Sequence, residues 1–515
     1  MTSSLRLACA LAIIFSLPAK SIDAAPGAHS AGDPSEQIRG ALHGGEPRRS
    51  EPAIKNWVVG LPFKNPPIIS SKNGRLDVRL TAARKTVEIA GQNIGARVYA
   101  VSSGNQSYDF SFMPPVIAIN PGDNLVATLV NKLGEETNLH THGFTVSPTG
   151  NQDNIFVELD HGKSFTYNYK VPSDMPPGSY WYHPHYHGLT EAQVFGGLSG
   201  LIYTRGLESL LPAELRGIEQ KFLGLKDFQL GKKNTIPSAD IDSNAPTTRT
   251  INGQIQPVIR MRPGETQLWH IGNISADIFY SLAAPGLTLT IIDEDGNPYT
   301  QPLRSENLLM PPGKRFDVLV QAPTAGHFSL VTEPYSNGPV GDSYPYALMA
   351  TVIVEGNPVN LAPLPSTLAT LDDLSKAKVN QTRVIELSEN TESEQFYLNQ
   401  RQFDPNYVDA TPKTDTVEEW VIKNYSQEIH PIHVHVNDMQ VMSINGVSQT
   451  ARSHVDTYGV PFATQDASGN LTPGEIVVRT RFQKLVGPYV LHCHILGHED
   501  NGMMGVINVT TPGSE

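Results

Sequence analysis

From Leu76 onward, β-branched and apolar residues recur in short alternating runs separated by Pro-Gly and Asn-Gly turns. Alternation with a period of two puts every second side chain on one face of a strand, and many short strands between turns predict β-sandwiches. Residues 25–69 hold no sustained period and are rich in Gly, Pro, Ser and charge, which predicts an N-terminal arm, mobile or lying on the surface. Ahead of it, Leu7 to Ala19 form an apolar run too short to span a bilayer, behind Arg6 and before Ile22-Asp23-Ala24. This predicts a secretory signal over residues 1–24 and an exported chain, periplasmic or extracellular. No later run approaches the length of a membrane span, so no membrane anchor is expected.

The alternating runs repeat. Val116–Asn131 (VIAINPGDNLVATLVN) matches Val258–Asn273 (VIRMRPGETQLWHIGN), and in both ten positions separate the turn proline from the closing asparagine. Thr414–Asn424 (TDTVEEWVIKN) is a looser third copy. A second block also comes three times, ending in Gly178-Ser-Tyr-Trp-Tyr-His183, Gly326-His-Phe-Ser-Leu-Val331 and Gly487-Pro-Tyr-Val-Leu-His492. Such periodicity predicts three copies of one unit, at 70–205, 206–365 and 366–515, with the Pro-rich stretch Asn357–Ser366 as a linker. The expected fold is therefore all-β, three consecutive sandwiches. Val331 stands where the outer copies carry His183 and His492, so metal chemistry belongs to the outer units and the middle one is a spacer or the wall of a cleft.

At 515 residues the chain is too long for one core, in keeping with several domains. A net charge of -13 argues against nucleic acid or an anionic membrane as partner. Of the two cysteines, Cys9 leaves with the signal, and Cys493 remains as a lone thiol with no disulfide to form.

That thiol sits among imidazoles. Ten of the 17 histidines fall in four clusters, His140-Thr-His142, His183-Pro-His185, His430-Pro-Ile-His433-Val-His435 and His492-Cys493-His494…His498. One His-x-His pair is weak, because strand histidines are often satisfied surface groups; four pairs around one cysteine are a strong signal. On a strand each pair aims both rings to one face, and Cys493 points away from His492 and His494. Two pairs come from each outer unit, so their eight imidazoles converge only where those units meet, enough for three metals at three, three and two ligands. His430, Cys493, His498 and Met503 form a further site; two imidazoles, a thiolate and a thioether suit copper, while structural zinc favours four ligands and paired cysteines.

These residues resemble the multicopper oxidases, the bacterial laccase-like and copper-tolerance members above all. HTHG at His140, WYHPH at Trp181, HPIHVH at His430 and HCHILGHEDNGMM at His492 stand in the family's order. The resemblance, over about 95–510, implies three cupredoxin-like Greek-key domains and four copper ions per chain. It places type 1 copper on His430, Cys493, His498 and Met503, and type 2 copper on His140 and His433. Type 3 copper falls to His142, His183 and His494, with His185, His435 and His492 on its partner. It implies electrons taken singly at the edge of His498 or His430, passed through Cys493 to His492 and His494, and used to reduce dioxygen to water. Glu499 and Asp153 match carboxylates that supply protons. Thr141 replaces a tryptophan common in the family at a position that holds no ligand. No methionine-rich cover of the kind found in copper-efflux members is visible. The expected reductant is accordingly a phenol or aromatic amine, ahead of Cu(I) or another low-valent metal, and a non-catalytic copper-binding scaffold ranks last because all twelve donor positions are filled. A monomer is expected.

Overall fold

The computed structural model describes residues 57–239, 241, 242 and 244–513; the signal expected over 1–24 and the expected arm up to residue 56 lie outside them. The described residues form an all-β chain of three sandwiches, each made of two sheets. The pattern that predicts strands also orients them: along Arg75–Ile89, Leu76, Val78, Leu80 and Ala82 are buried while Arg75, Asp77 and Arg79 face solvent. Burying one such leucine stabilises the fold by about 1.5–3 kcal/mol.

One sheet recurs in the same order three times. Its neighbours are Val116–Ile119, Gly200–Thr204, Gly178–His183 and His140–His142 in the first sandwich, and Val258–Met261, Ala347–Val354, Gly326–Thr332 and Tyr280–Ala283 in the second. In the third they are Val408–Ala410, Met504–Val509, Gly487–Cys493 and His430–Val434. The last two strands of each set carry the histidine motifs in the outer sandwiches, and Gly326–Thr332 and Tyr280–Ala283 carry no cysteine and only His327 in the middle one.

The closing asparagines of the repeat explain why it recurs. Asn131 Nδ2 donates to the carbonyls of Glu135 and Leu159, Asn273 Nδ2 to those of Ile278 and Met310, and Asn424 Nδ2 to those of Glu428 and Val460. Each side-chain oxygen accepts a backbone N–H two residues on, from Leu133, Ser275 and Ser426. One buried amide thus satisfies a corner of backbone that no ladder reaches.

Two short helices, Thr190–Phe195 and Leu496–Asp500, lock the first sandwich to the third. The Asp500 carboxylate accepts the N–H groups of Gly188 (2.7 Å), Thr190 (3.2 Å) and Glu191 (2.8 Å), capping the first helix from the second. The described end of the expected arm runs onto the body: Ile68–Ser70 pairs parallel with Val116–Ala118, and Phe63 N donates to Val258 O at 2.9 Å. No described helix is long and apolar enough to cross a membrane.

Candidate metal centre

His430 opens the strand His430–Val434, which pairs antiparallel with Gly487–Cys493 so that Ile432 faces Cys493 and His433 faces His492. The chain then leaves the sheet, and the helix Leu496–Asp500 swings His498 back beside the cysteine. Cys493 Sγ lies 3.6 Å from His430 Nδ1 and 3.7 Å from His498 Nδ1, and those two nitrogens are 3.3 Å apart. Met503 is fully buried; its carbonyl accepts the Cys493 N–H (3.0 Å) and its own N–H donates to His498 O (2.9 Å). Burial pushes the Cys493 thiol well up and holds His430 down to about 3, so the set holds a neutral ring and a thiol that only a cation would keep ionised.

The other face of the same segment carries His492 and His494 into the eight-histidine cluster, where all eight rings are buried. His185 Nε2 and His435 Nε2 lie 3.2 and 3.3 Å from His492 Nε2, and His494 Nε2 lies 3.2 Å from His142 Nδ1. His140, His142 and His183 form a further close group, as do His140, His433 and His435. Asn138 fixes the loop that delivers His185: its Oδ1 accepts the His185 N–H (2.6 Å) and its Nδ2 donates to His185 O (3.0 Å).

The outward nitrogens show which inward ones are bare. His140 Nδ1 faces Asp153 Oδ2 (2.8 Å), His142 Nε2 faces Asp456 Oδ1 (3.1 Å), and His183, His433 and His492 each aim Nδ1 at a backbone carbonyl, of Pro184 (2.7 Å), Asp456 (2.9 Å) and Cys493 (2.9 Å). Those carbonyl oxygens only accept, and Asp456 accepts from Arg315 through both its oxygens, so the ring protons of His142, His183, His433 and His492 sit outward and their inward nitrogens keep their lone pairs. His140 Nε2, His183 Nε2 and His433 Nε2 are buried with no hydrogen-bond partner. Burial holds His183 down to about 3 and His185 to about 4, and His140, His142, His433, His435 and His494 well below the ordinary value. Orphaned lone pairs in a dry cluster cost about 1–3 kcal/mol each. Metal cations satisfy them all at once, and the donor types suit copper.

Both carboxylates expected to supply protons adjoin this cluster. Asp153 accepts the Thr141 N–H at 2.9 Å, and burial pushes it up to about 7. Glu499 is fully buried, with Oε2 2.9 Å from His492 Nδ1 and Oε1 3.4 Å from His185 Nδ1, both off the hydrogen-bond axis. Burial would raise it, and the facing His185 and His492 reverse that and hold it below the carboxylate range.

Several residues at the site had no signal in the sequence. His430 Nε2 points toward Glu389 Oε2 (3.6 Å) and His498 Nε2 toward Glu428 Oε1 (4.0 Å). Burial raises Glu428, followed by Glu389 and Asp342. Asp277 is buried with both carboxylate oxygens unpartnered, and it is raised by burial and then by Asp342, Asp227, Glu191 and Glu428. The middle sandwich, besides Asp277 and Asp342, brings Gly313 against the rings of His494 and His142 and Arg315 against Asp456.

A sulfur–imidazole site sharing its backbone with a histidine cluster, on an all-β three-sandwich chain, defines a copper-using, oxygen-dependent oxidoreductase. The chain belongs to the multicopper oxidase family: models described as multicopper oxidase match residues 97–208, 223–354 and 367–513. It is 25% identical to the multicopper oxidase mco of Staphylococcus aureus over 416 residues, 79% of this chain and 84% of that one. It is 25% identical to a laccase of Bacillus subtilis over 378 residues, 67% and 73% of the two chains. Among solved structures, a multicopper oxidase from Campylobacter jejuni described as a metallo-oxidase superposes with a TM-score of 0.73 at 24% identity, covering 90% of this chain and 99% of that one. These folds are cupredoxin-like, as the resemblance implies.

Proposed function

We propose that the chain holds four copper ions and oxidises a small cationic reductant, a low-valent metal ion such as Fe(II) or Mn(II). His430, Cys493, His498 and Met503 would hold type 1 copper. His140 and His433 would hold type 2, with His142, His183 and His494 on one type 3 ion and His185, His435 and His492 on the other. Bound copper supplies one-electron oxidation at the first set and, at the second, reduction of dioxygen with four electrons and four protons to two waters.

The protein's own part is to hold, connect and protonate. Cys493 shares peptide bonds with His492 and His494, so the two sets are joined by a few covalent bonds. Glu499 faces the Nδ1 atoms of His492 and His185, and Asp153 faces that of His140, so each can carry a proton to the edge of the cluster. Apart from His498, whose side chain is 13% exposed, the rings are buried, which excludes bulk water.

The observation that carries the substrate class is the ring of carboxylates outside the first set. Glu389 and Glu428 face the outer nitrogens of His430 and His498, and the neighbouring Asp277 keeps two buried oxygens without a partner. Buried carboxylates that raise one another are stabilised by a cation, and oxygen donors favour Mn(II) and similar hard ions over Cu(I). Phe396 favours a second reading, a phenol or aromatic amine: its ring stacks on His498 with centroids 3.9 Å apart, beside the same edge. Oxygen uptake by the copper-loaded chain, with Fe(II), Mn(II), Cu(I) and a phenol in parallel, tests this. Faster turnover of Fe(II) or Mn(II) than of the phenol supports the cation; turnover of the phenol alone assigns the second reading. Export, expected from residues 1–24, is part of the same proposal and is tested by locating the mature N-terminus.

A further inference from the structure

The middle sandwich has none of the donors, yet one of its side chains reaches the carboxylate behind two histidines of the cluster. Arg315 opens the strand Arg315–Ala322 and is fully buried. Its Nη1 and Nη2 donate to Asp456 Oδ1 (2.8 Å) and Oδ2 (2.7 Å), a two-pronged pair. Nη1 also donates to Gly313 O (2.9 Å), and Nε to Ser179 O of the first sandwich (3.1 Å). The guanidinium is therefore held from two sandwiches while it holds a third.

Asp456 spends its oxygens on the histidines of both outer sandwiches. Its Oδ1 accepts from His142 Nε2 (3.1 Å) and its backbone carbonyl from His433 Nδ1 (2.9 Å). A second tie comes from Asp295 of the middle sandwich, whose Oδ2 accepts the N–H groups of Asp456 and Thr457, each at 3.3 Å. Lys314 Nζ spans Asp295 Oδ2 (2.9 Å) and Thr457 O (3.0 Å). Asp456 lies close enough to His142 and His433 to be a ligand itself, but both its oxygens already carry guanidinium bonds, and a metal cation there would sit against a positive charge.

We propose that Arg315 is a positioning residue for the eight-histidine cluster, acting through Asp456 to set the tautomer and ring angle of His142 and His433. The inference rests on the ligand assignments proposed above. With Asp456 pinned, the His142 proton stays on Nε2 and Nδ1 is bare toward His494, while the His433 proton stays on Nδ1 and Nε2 is bare. Without the guanidinium, the Asp456 carboxyl loses its two-pronged anchor and turns toward whatever donor remains. The His142 ring then loses the acceptor that defines its inward nitrogen. The middle sandwich in this scheme is the third leg of the metal site.

The test compares Arg315→Gln and the neutralised pair Arg315→Gln/Asp456→Asn with the parent chain, each loaded with copper. Copper per chain, the blue absorption of the thiolate site, the type 2 paramagnetic signal and the near-ultraviolet type 3 absorption are read together. The expected result is a blue band kept within twofold in Arg315→Gln, with type 2 and type 3 signals and their share of the copper reduced at least fivefold. Partial recovery of those signals is expected in the pair, where the amide oxygen that Asp456→Asn introduces can still accept from His142 Nε2 without a guanidinium partner. Full signals in Arg315→Gln overturn the inference. Parallel loss of the blue band and the cluster signals in both variants also overturns it, since Arg315 would then support the fold as a whole. Absence of the cluster signals from the parent chain would instead remove the ligand assignments.

Discussion

The His142 ring of the first sandwich lies flat on the His433 ring of the third, with centroids 3.7 Å apart and planes 14° from parallel. His140 and His435 repeat the arrangement at 4.0 Å and 14°. The two His-x-His strands thus interleave, and neither outer sandwich presents the stacked layer alone. Metal bound there ties together strands that have no hydrogen-bond ladder between them.

Copper removal is accordingly expected to loosen the outer sandwiches and spare the middle one. A ligand at 100 times its Kd stabilises the state that binds it by about 2.7 kcal/mol. Amide exchange should quicken at least tenfold in His140–His142, Gly178–His183, His430–Val434 and Gly487–Cys493 when copper is chelated under reducing conditions. Exchange in Ala347–Val354 should change by less than twofold, and an equal rise there would contradict the interleaved arrangement.

Gly143, the last residue of the HTHG motif, is predicted to be irreplaceable for a packing reason. Its φ is +91°, and a Cβ built there would stand 2.7 Å from both Arg315 Nη2 and Asp456 Oδ2. Neither atom can retreat without opening the two-pronged pair. Gly143→Ala should therefore cost about 1–3 kcal/mol of stability from backbone strain alone, and it should lower type 3 absorption while the blue band persists. Thermal unfolding of the metal-free chain and absorption spectra of the loaded one check the two halves.

Cys493 and the paired histidines proposed as donors stood out in the sequence because cysteine and His-x-His pairs are rare and the strand period fixes which face each one takes. The closing asparagines of the repeat were legible for a similar reason, since each recurs at a fixed distance from its turn. Arg315, Asp456 and Gly313 were not, because each is a single residue of a common type whose neighbours come from another sandwich. The same holds for Glu389, Glu428, Asp277 and Asp342, which gather from separate loops and strands. His498 stood out as a candidate donor, but its place on a helix did not: the turn after Cys493 carries no cap or periodic run long enough to announce five helical residues.

Glu428 bears on which reductant the site takes. Its Oε1 accepts from Asn337 Nδ2 at 2.8 Å and faces His498 Nε2 at 4.0 Å. Glu428→Gln keeps the shape and removes the carboxylate that a bound cation would ionise and pair with, so KM for Fe(II) or Mn(II) should rise about tenfold, equivalent to about 1.4 kcal/mol. KM for a phenol should move by less than twofold. The parent's KM for the cation should also rise with added salt, because salt screens charge outside the fully buried sites. Equal shifts for both reductants would show that Glu428 only supports His498.

The last prediction concerns pH and the middle sandwich. Asp227 lies on the strand Gln220–Phe228 with its Oδ1 buried and unpartnered. Burial pushes its carboxyl up to about 7, against the opposing pull of Arg249 and Ser275. The folded chain therefore keeps a proton that the unfolded chain gives up near the ordinary value of about 3.9. Between those two values the folded state binds more protons than the unfolded one, so stability falls as pH rises from about 4 to about 7 and is level beyond it. Asp227→Asn has no proton to lose. Its unfolding midpoint, measured on the metal-free chain, should gain on the parent's as pH rises from 5 to 8, and a difference that stays constant over that range would place the burial cost elsewhere.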